Sequence, residues 1–118
     1  LVANMIGNAG MIALAAPLRK HPRLTDLYLC NNQIGDEGVA ALVAPGQGVL
    51  PSLTVLCLAK NNVGDAGCAS LVAALDGGMM PKLKNLPARL QGNNLSPEAH
   101  AALRAAMQRR GISDALPA

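Results

Sequence analysis

Aromatic side chains are almost missing from this chain. Of its 118 residues, Tyr28 is the single aromatic one, and there is neither Phe nor Trp. Aromatic rings dominate the energetics of most cores, so the interior here has to be built from Leu, Ile, Val, Met and Ala. Hydrophobic residues still account for 51% of the sequence. A chain of this length is expected to form one domain with one continuous aliphatic core.

Charge is also sparse. The sequence has 10 Lys and Arg against 7 Asp and Glu, which gives a formal net charge of +3. The charges are scattered, and no long block of one sign occurs. Such blocks, or basic residues interleaved with aromatic ones, are typical of nucleic-acid-binding segments. The composition therefore disfavours nucleic acid as the partner.

No targeting or membrane segment is recognisable. The opening stretch "LVANMIGNAGMIALAAPLRK" is apolar, but Asn4, Asn8 and Pro17 interrupt it and no basic residues precede it. Signal peptides need a basic start and an unbroken apolar run, and membrane helices need a longer apolar run still. The sequence thus predicts neither.

Familiar catalytic motifs are missing as well. The sequence contains no HExxH, no P-loop and no GxSxG pattern, and no nucleophile, base and orienting group occur together. His21 and His100 are the two histidines, too few for a metal site of the usual kinds. We therefore expect a protein that is not an enzyme and that uses no cofactor and no metal.

What the sequence does contain is an internal repeat. The segment "PRLTDLYLCNNQIGDEGVAALV" at 22–43 aligns without a gap with "PSLTVLCLAKNNVGDAGCASLV" at 51–72. A third copy, "PKLKNLPARLQGNNLSPEAHAAL", follows at 81–103 once Pro87 and Ala88 are set aside as an insertion. A partial copy at 1–14 opens the chain. A period of about 29 residues indicates a stack of similar units.

Each copy predicts a strand, a turn and a helix. Alternate leucines such as Leu27 and Leu29 indicate a short strand with one buried side. A recurring Asn is expected to bond the backbone of the turn, so that stacked copies form a ladder; it stands at Asn4, Asn32, Asn61 and Asn93. The helices should begin next, with N-caps predicted at Asp36, Asp65 and Ser96.

This pattern, LxxLxLxxNxI followed by GDxG and a helix, resembles the ribonuclease-inhibitor-like class of leucine-rich repeats. The resemblance implies an α/β solenoid of about three and a half repeats, with short parallel strands on the concave side and helices on the convex side. It divides the array 1–110 into a partial unit 1–21 and units 22–50, 51–80 and 81–110, followed by a loose tail 111–118. Further repeats are expected upstream of Leu1. Pro87 and Ala88 should bulge or break the third strand.

The cysteines favour a reducing compartment. Cys30, Cys57 and Cys68 form no CxxC pair and leave an odd one over, which argues against a disulfide framework and favours the cytoplasm. Cys30 and Cys57 should be diagonal neighbours on adjacent strands, with Cα atoms roughly 7 to 8 Å apart. Because that is too far for an easy disulfide, both are expected to be surface thiols. Cys68 is expected to be a buried small hydrophobe.

The resemblance implies a protein-binding role for the concave strand surface. Tyr28, Lys60 and Arg89 are the best candidates for partner contacts, since Tyr and Arg are enriched at binding hot spots; equally, Tyr28 could simply cover the strands. The leading hypothesis is a fragment of a larger protein acting as scaffold or subunit of an assembly. The alternative is a regulatory domain of a GTPase-activating or innate-immune-sensor protein. The full set of predicted contact residues is Asp26, Tyr28, Cys30, Val55, Cys57, Lys60, Arg89 and Gln91.

Overall fold

Short strands and helices alternate along most of the chain. The computed structural model describes residues 7–30, 32–44, 50–86 and 90–114. The elements in chain order are α1 (Gly7–Arg19), β1 (Asp26–Tyr28), α2 (Asp36–Leu42), β2 (Val55–Cys57), α3 (Asp65–Asp76) and α4 (Pro97–Arg110). Within the described ranges, no helix is long and apolar enough to cross a membrane.

The sheet follows the sequence period. β1 and β2 are parallel, with Asp26 opposite Val55 and Tyr28 opposite Cys57. A single parallel bridge joins Val55 to Asn85, and another joins Asn85 to Ser113. Residues 26, 55, 85 and 113 therefore form one row, with one member from each of the three copies and one from the segment that follows the last copy. The bulge predicted at Pro87 and Ala88 lies outside the described residues.

The helices form a second layer against the leucine side of the strands. α1 packs on α2, α2 on α3 and α3 on α4, while β1 packs on β2. Leu27, Leu56 and Leu86 occupy corresponding strand positions and are at most 2% exposed. They belong to one aliphatic core with the helical residues Leu42 and Leu71. This two-layer α/β arrangement agrees with the α/β prediction from the repeats.

The predicted asparagine ladder is present at Asn61 and Asn93, while Asn4 lies outside the described residues. Asn61 Oδ1 accepts hydrogen bonds from the backbone N–H groups of Asn32 (2.8 Å) and Ile34 (3.1 Å) in the preceding copy. Its Nδ2 donates back to Leu29 O at 2.8 Å. Asn93 Oδ1 does the same one copy later, accepting from the N–H of Asn61. Each amide thus satisfies the backbone of its neighbour, which no single copy could do alone.

The prediction that Asp36 and Asp65 are the N-caps of their own helices is wrong. α2 and α3 begin at Asp36 and Asp65, and their N-cap residues are glycines that provide no side-chain hydrogen bond. Asp36 Oδ1 instead accepts from the N–H groups of Gly64 (2.6 Å) and Gly67 (2.9 Å), at the start of the next helix. The carboxylate therefore caps the helix of the following copy, because stacking brings that helix start beside it.

The third cap is as predicted. Ser96 is the N-cap of α4, its hydroxyl accepts from the N–H of Ala99, and Pro97 occupies the first helical position. Asp65 Oδ1 accepts from the N–H of Ser96 at 2.8 Å, so here too an aspartate reaches the next helix. The start of α4 is therefore capped twice, once by its own Ser96 and once by Asp65 of the preceding copy.

The segment after α4 corrects the expectation of a loose tail for the part that is described. Gly111 ends the helix in a left-handed conformation with φ 66°. Ile112 is 7% exposed, and Ser113 pairs with Asn85 through hydrogen bonds to Lys84 O and from the N–H of Leu86. After its last helix, the chain thus pairs with the third copy again, through Ser113 and Asn85.

Candidate functional site

The side of β1 and β2 that faces away from the leucine core is called the strand face here, and it consists of Asp26, Tyr28, Cys30, Val55 and Cys57. The register places Asp26 beside Val55 and Tyr28 beside Cys57, so these predicted contact residues lie together. Asp26 is exposed, whereas Tyr28, Cys30 and Val55 are half-buried. The strand face therefore offers one aromatic ring and one aliphatic side chain next to a carboxylate.

The expectation of two surface thiols is wrong, because Cys30 and Cys57 form a disulfide. Their Cα atoms are 5.8 Å apart, closer than the flat-ladder estimate. β1 ends at Tyr28, so Cys30 already lies in the turn beyond the strand, where ladder spacing no longer applies. The N–H of Leu29 still donates to Cys57 O at 2.9 Å. The bond ties two adjacent copies together on the strand face itself.

Lys60 and Gln91 form a second cluster at the end where the strands finish. Both side chains are exposed, and the N–H of Lys60 donates to Gln91 O at 2.8 Å. Gly92 permits this approach, because a Cβ there would lie 2.8 Å from Lys60 Cγ. The predicted contact residue Arg89 lies outside the described residues. The described members of the predicted set thus fall into two groups.

The row of paired positions continues to Ser113, which sequence reasoning did not include. Asn85 stands between Val55 and Ser113 in that row and is half-buried. The resemblance of "ISD" at 112–114 to "LTD" at 24–26 would place Asp114 in this row, so the sequence does not predict that Ser113 occupies it. The described surface is therefore wider than the predicted one at its C-terminal side.

The third cysteine is a core residue, as predicted. Cys68 is 1% exposed, and its thiol lies 3.4 Å from Ala99 O in the next copy. Burial, followed by the negative charge of Asp65, raises the pKa of the Cys68 thiol to about 11. A thiol that stays protonated at neutral pH is a poor nucleophile and a poor metal ligand.

The one acid with a clear pKa shift is also structural. The backbone N–H of Ser96, then its side chain, and more weakly His100, hold the pKa of Asp65 below its ordinary range. Each of these partners belongs to the start of α4 or its first turn. The shift therefore reflects helix capping rather than preparation of a catalytic acid.

A groove on the helix side has no chemical groups suited to catalysis. It lies between α2 and α3, measures about 470 Å³, and is lined by small residues such as Ala40, Ala73 and Gly77. Ser70 is its one polar side chain, and its hydroxyl donates to Ala66 O at 3.3 Å. No titratable side chain among the described residues lines it. The strand face remains the best candidate for a functional surface.

Comparison with known proteins agrees with the repeat. Residues 20–43 and 49–72 each match the family model described as Leucine Rich repeat. These two segments contain β1 with α2 and β2 with most of α3, so the family pattern coincides with two stacked copies. A search of curated proteins found no significant match.

Proposed function

Because the chain is a leucine-rich-repeat protein, and its strand face presents an aromatic side chain on a covalently linked pair of strands, we propose that it is a non-catalytic protein-interaction module. The observation that carries the proposal is the position of Tyr28. It is the one aromatic residue of the sequence, and it lies half-exposed in the middle of the strand face instead of in the core. Tyr is among the residue types enriched at binding hot spots, because its ring offers apolar area and its hydroxyl offers a hydrogen-bonding group.

The fixed geometry of the strand face supports the same proposal. The disulfide joins Cys30 to Cys57, and the N–H groups of Thr54 and Val55 both donate to Thr25 O at 2.7 and 3.0 Å. A surface held in one arrangement before binding loses less conformational entropy when a partner docks. The strand face is thus suited to binding a folded protein.

The proposal includes the shape of the array. Stacking at the period of the repeat, with strands in one layer and helices in the other, favours the ribonuclease-inhibitor-like subclass and a solenoid whose concave side is the strand face. Concave solenoid surfaces commonly serve as binding platforms. The partner would then contact the described members of the predicted set, from Asp26 to Gln91.

A scaffold or subunit role fits better than the regulatory alternative. A regulator of GTPases is expected to need a strongly charged contact surface, and the strand face has one carboxylate, Asp26, with Lys60 and Gln91 at its end. The described residues offer no observation that favours the alternative. We therefore keep the scaffold role as the proposal.

The disulfide between Cys30 and Cys57 bears on the cellular location. The odd number of cysteines favoured the cytoplasm, but a bond such as that between Cys30 and Cys57 persists mainly in oxidising compartments. A count of free thiols in protein taken from its native source distinguishes the two. Three free thiols agree with the cytoplasm, whereas one, from Cys68, agrees with an oxidising compartment.

The test of the proposed function is affinity purification from native extract with matched variants. Tyr28→Ala and Lys60→Glu alter the proposed contact surface, whereas Arg104→Glu alters an exposed position of α4. Circular dichroism should show the same fold for every variant. We expect one set of proteins to be lost with Tyr28→Ala and Lys60→Glu and retained with Arg104→Glu. Retention of the same proteins by every variant would show that the strand face is not the binding surface.

A further inference from the structure

The charged side chains are unevenly distributed between the two ends of the strands. The side of the molecule where the strands begin has exposed cations, and the side where the strands end and the helices begin has most of the carboxylates. The first side is called the strand-start edge here, and its exposed cations are Lys20, Arg23, Lys82 and Lys84. The acids of the opposite side are Asp36, Glu37, Asp65 and Glu98.

Two of these cations occupy equivalent positions in different copies. Arg23 and Lys82 each precede by three residues a member of the paired row, Asp26 and Asn85. Ser52 holds the same position in the copy between them, and its hydroxyl donates to Pro22 O at 2.6 Å. Arg23 and Lys82 are therefore two copies apart in the stack, with the Ser52 turn between them.

Lys84 stands beside this pair because the backbone pattern repeats. The N–H groups of Lys84 and Asn85 both donate to Thr54 O at 2.9 and 3.0 Å, as those of Thr54 and Val55 do to Thr25 O. Lys84 thus takes the position that Thr occupies in the two earlier copies. The third copy brings two lysines, at 82 and 84, to an edge where the second has Ser and Thr.

The cations of the strand-start edge outnumber the carboxylates near it. Arg109 and Asp76 form an ion pair at 2.9 Å, which uses the aspartate that ends α3. Arg110 donates to Met79 O and Met80 O, both at 2.6 Å, which places a further positive charge close to Lys82. Besides Asp76, the described acids near this edge are Asp26, which begins β1, and Asp114, which follows Ser113.

We propose that the strand-start edge is a second interaction surface, which binds an acidic peptide segment in an extended conformation. Its cations lie on turns of successive copies that stack side by side. Alternate side chains of an extended peptide lie roughly 7 Å apart on one side, within reach of such long basic side chains. The surface is distinct from the strand face, because its cations precede the strands.

Other anionic partners fit this edge less well. Single-stranded nucleic acid is held largely by stacking on aromatic rings, and the one aromatic residue, Tyr28, lies on the strand face instead. Duplex DNA requires many phosphate contacts along its length, more than this row supplies. A lipid surface needs apolar side chains beside the cations, and the exposed large hydrophobic residue of the described part, Ile12, lies in α1.

The experiment uses the whole chain and substitutions that the protein already carries elsewhere. Lys82→Ser with Lys84→Thr installs the residues found at Ser52 and Thr54, and it removes two positive charges. Arg104→Glu on the exposed side of α4 changes the net charge by the same amount and serves as the control. Binding of a fluorescein-labelled peptide of alternating Glu and Ser is measured by fluorescence anisotropy at low ionic strength.

We expect the double variant to lose roughly three- to tenfold in affinity and the Arg104→Glu control to change by less than about twofold. Adding Arg23→Ser should weaken binding further, and Tyr28→Ala should leave it unchanged. Equal losses in the double variant and the control would overturn the proposal, and so would a loss with Tyr28→Ala. Absence of peptide binding, or tighter binding to a labelled DNA duplex or to phosphatidylserine vesicles, would overturn it as well.

Discussion

Asp36 Oδ1 lies 2.9 Å from the backbone nitrogen of Gly67, and a Cβ added to Gly67 would lie 2.6 Å from the same oxygen. The small residue at this helical position is therefore required by the neighbouring copy. Ala99 takes the equivalent position in α4, and there its N–H donates to the hydroxyl of Ser96, while Asp65 of the preceding copy still accepts from the N–H of Ser96. At α4 the local cap thus replaces one of the two hydrogen bonds that the neighbouring copy supplies at α3.

This relationship predicts coupled effects of two substitutions. Gly67→Ala should destabilise the protein by about 1 to 3 kcal/mol, because the new methyl group meets Asp36 and Val63. Asp36→Ala should cost about 1 kcal/mol through loss of the cap. The double variant should be more stable than the sum of the two implies, by about 1 kcal/mol. Urea unfolding measures all three, and strict additivity would contradict the proposed contact.

The asparagine ladder predicts a large loss of stability at one position and almost none at the next. Asn61→Ala leaves the buried N–H groups of Asn32 and Ile34 without their acceptor, so unfolding should become easier by about 2 to 4 kcal/mol. Asn62→Ala is the matched control, because its side chain is exposed and should change stability by less than about 0.5 kcal/mol. Equal effects in thermal melts would refute the ladder.

The disulfide predicts a redox-dependent stability. Cys30 and Cys57 are 27 residues apart, and closing a loop of that length restricts the unfolded chain by about 3 to 4 kcal/mol in the chain-entropy model. Adding reductant should therefore lower the urea midpoint of the wild-type protein. The Cys30→Ser variant should unfold at the lower urea midpoint both with and without reductant, because it has no disulfide to reduce. A wild-type midpoint that does not respond would show that the bond is absent in solution.

Cys68 predicts a decline in stability at alkaline pH. Its thiol pKa is raised in the folded state from 9.0 to about 11, so the folded protein keeps a proton that the unfolded chain releases. The stabilisation is complete below pH 9 and is lost as the pH rises toward 11, up to about 2 to 3 kcal/mol. Cys68→Ala should flatten this part of the pH profile. An identical decline in that variant would assign the effect to other groups.

The sequence predicted the repeating frame because the frame depends on contacts that recur. Leu27 and Leu56 hold the same position in successive copies and face one core, and Asn61 and Asn93 bond corresponding backbone groups of the copy before them. The repeat period alone is sufficient to find such positions, since the corresponding residue in each copy has the same environment.

The features that the sequence does not predict depend on contacts between one copy and the next. The target of Asp36 is the helix start of the following copy, and a cap motif read within one copy cannot show that. The distance between Cys30 and Cys57 was estimated as if both lay in a regular ladder, but Cys30 lies beyond the end of β1. Ser113 joins the sheet although its segment lacks the full leucine pattern.

The central claim is that the strand face binds a protein partner, and site-directed photocrosslinking tests it most directly. A benzophenone amino acid replaces Tyr28, on the strand face, or Ala101, on the exposed side of α4, and each protein is irradiated in native extract. We predict one discrete crosslinked protein from position 28 and none of that identity from position 101. The same adduct from position 101, or no adduct from position 28, would contradict the account.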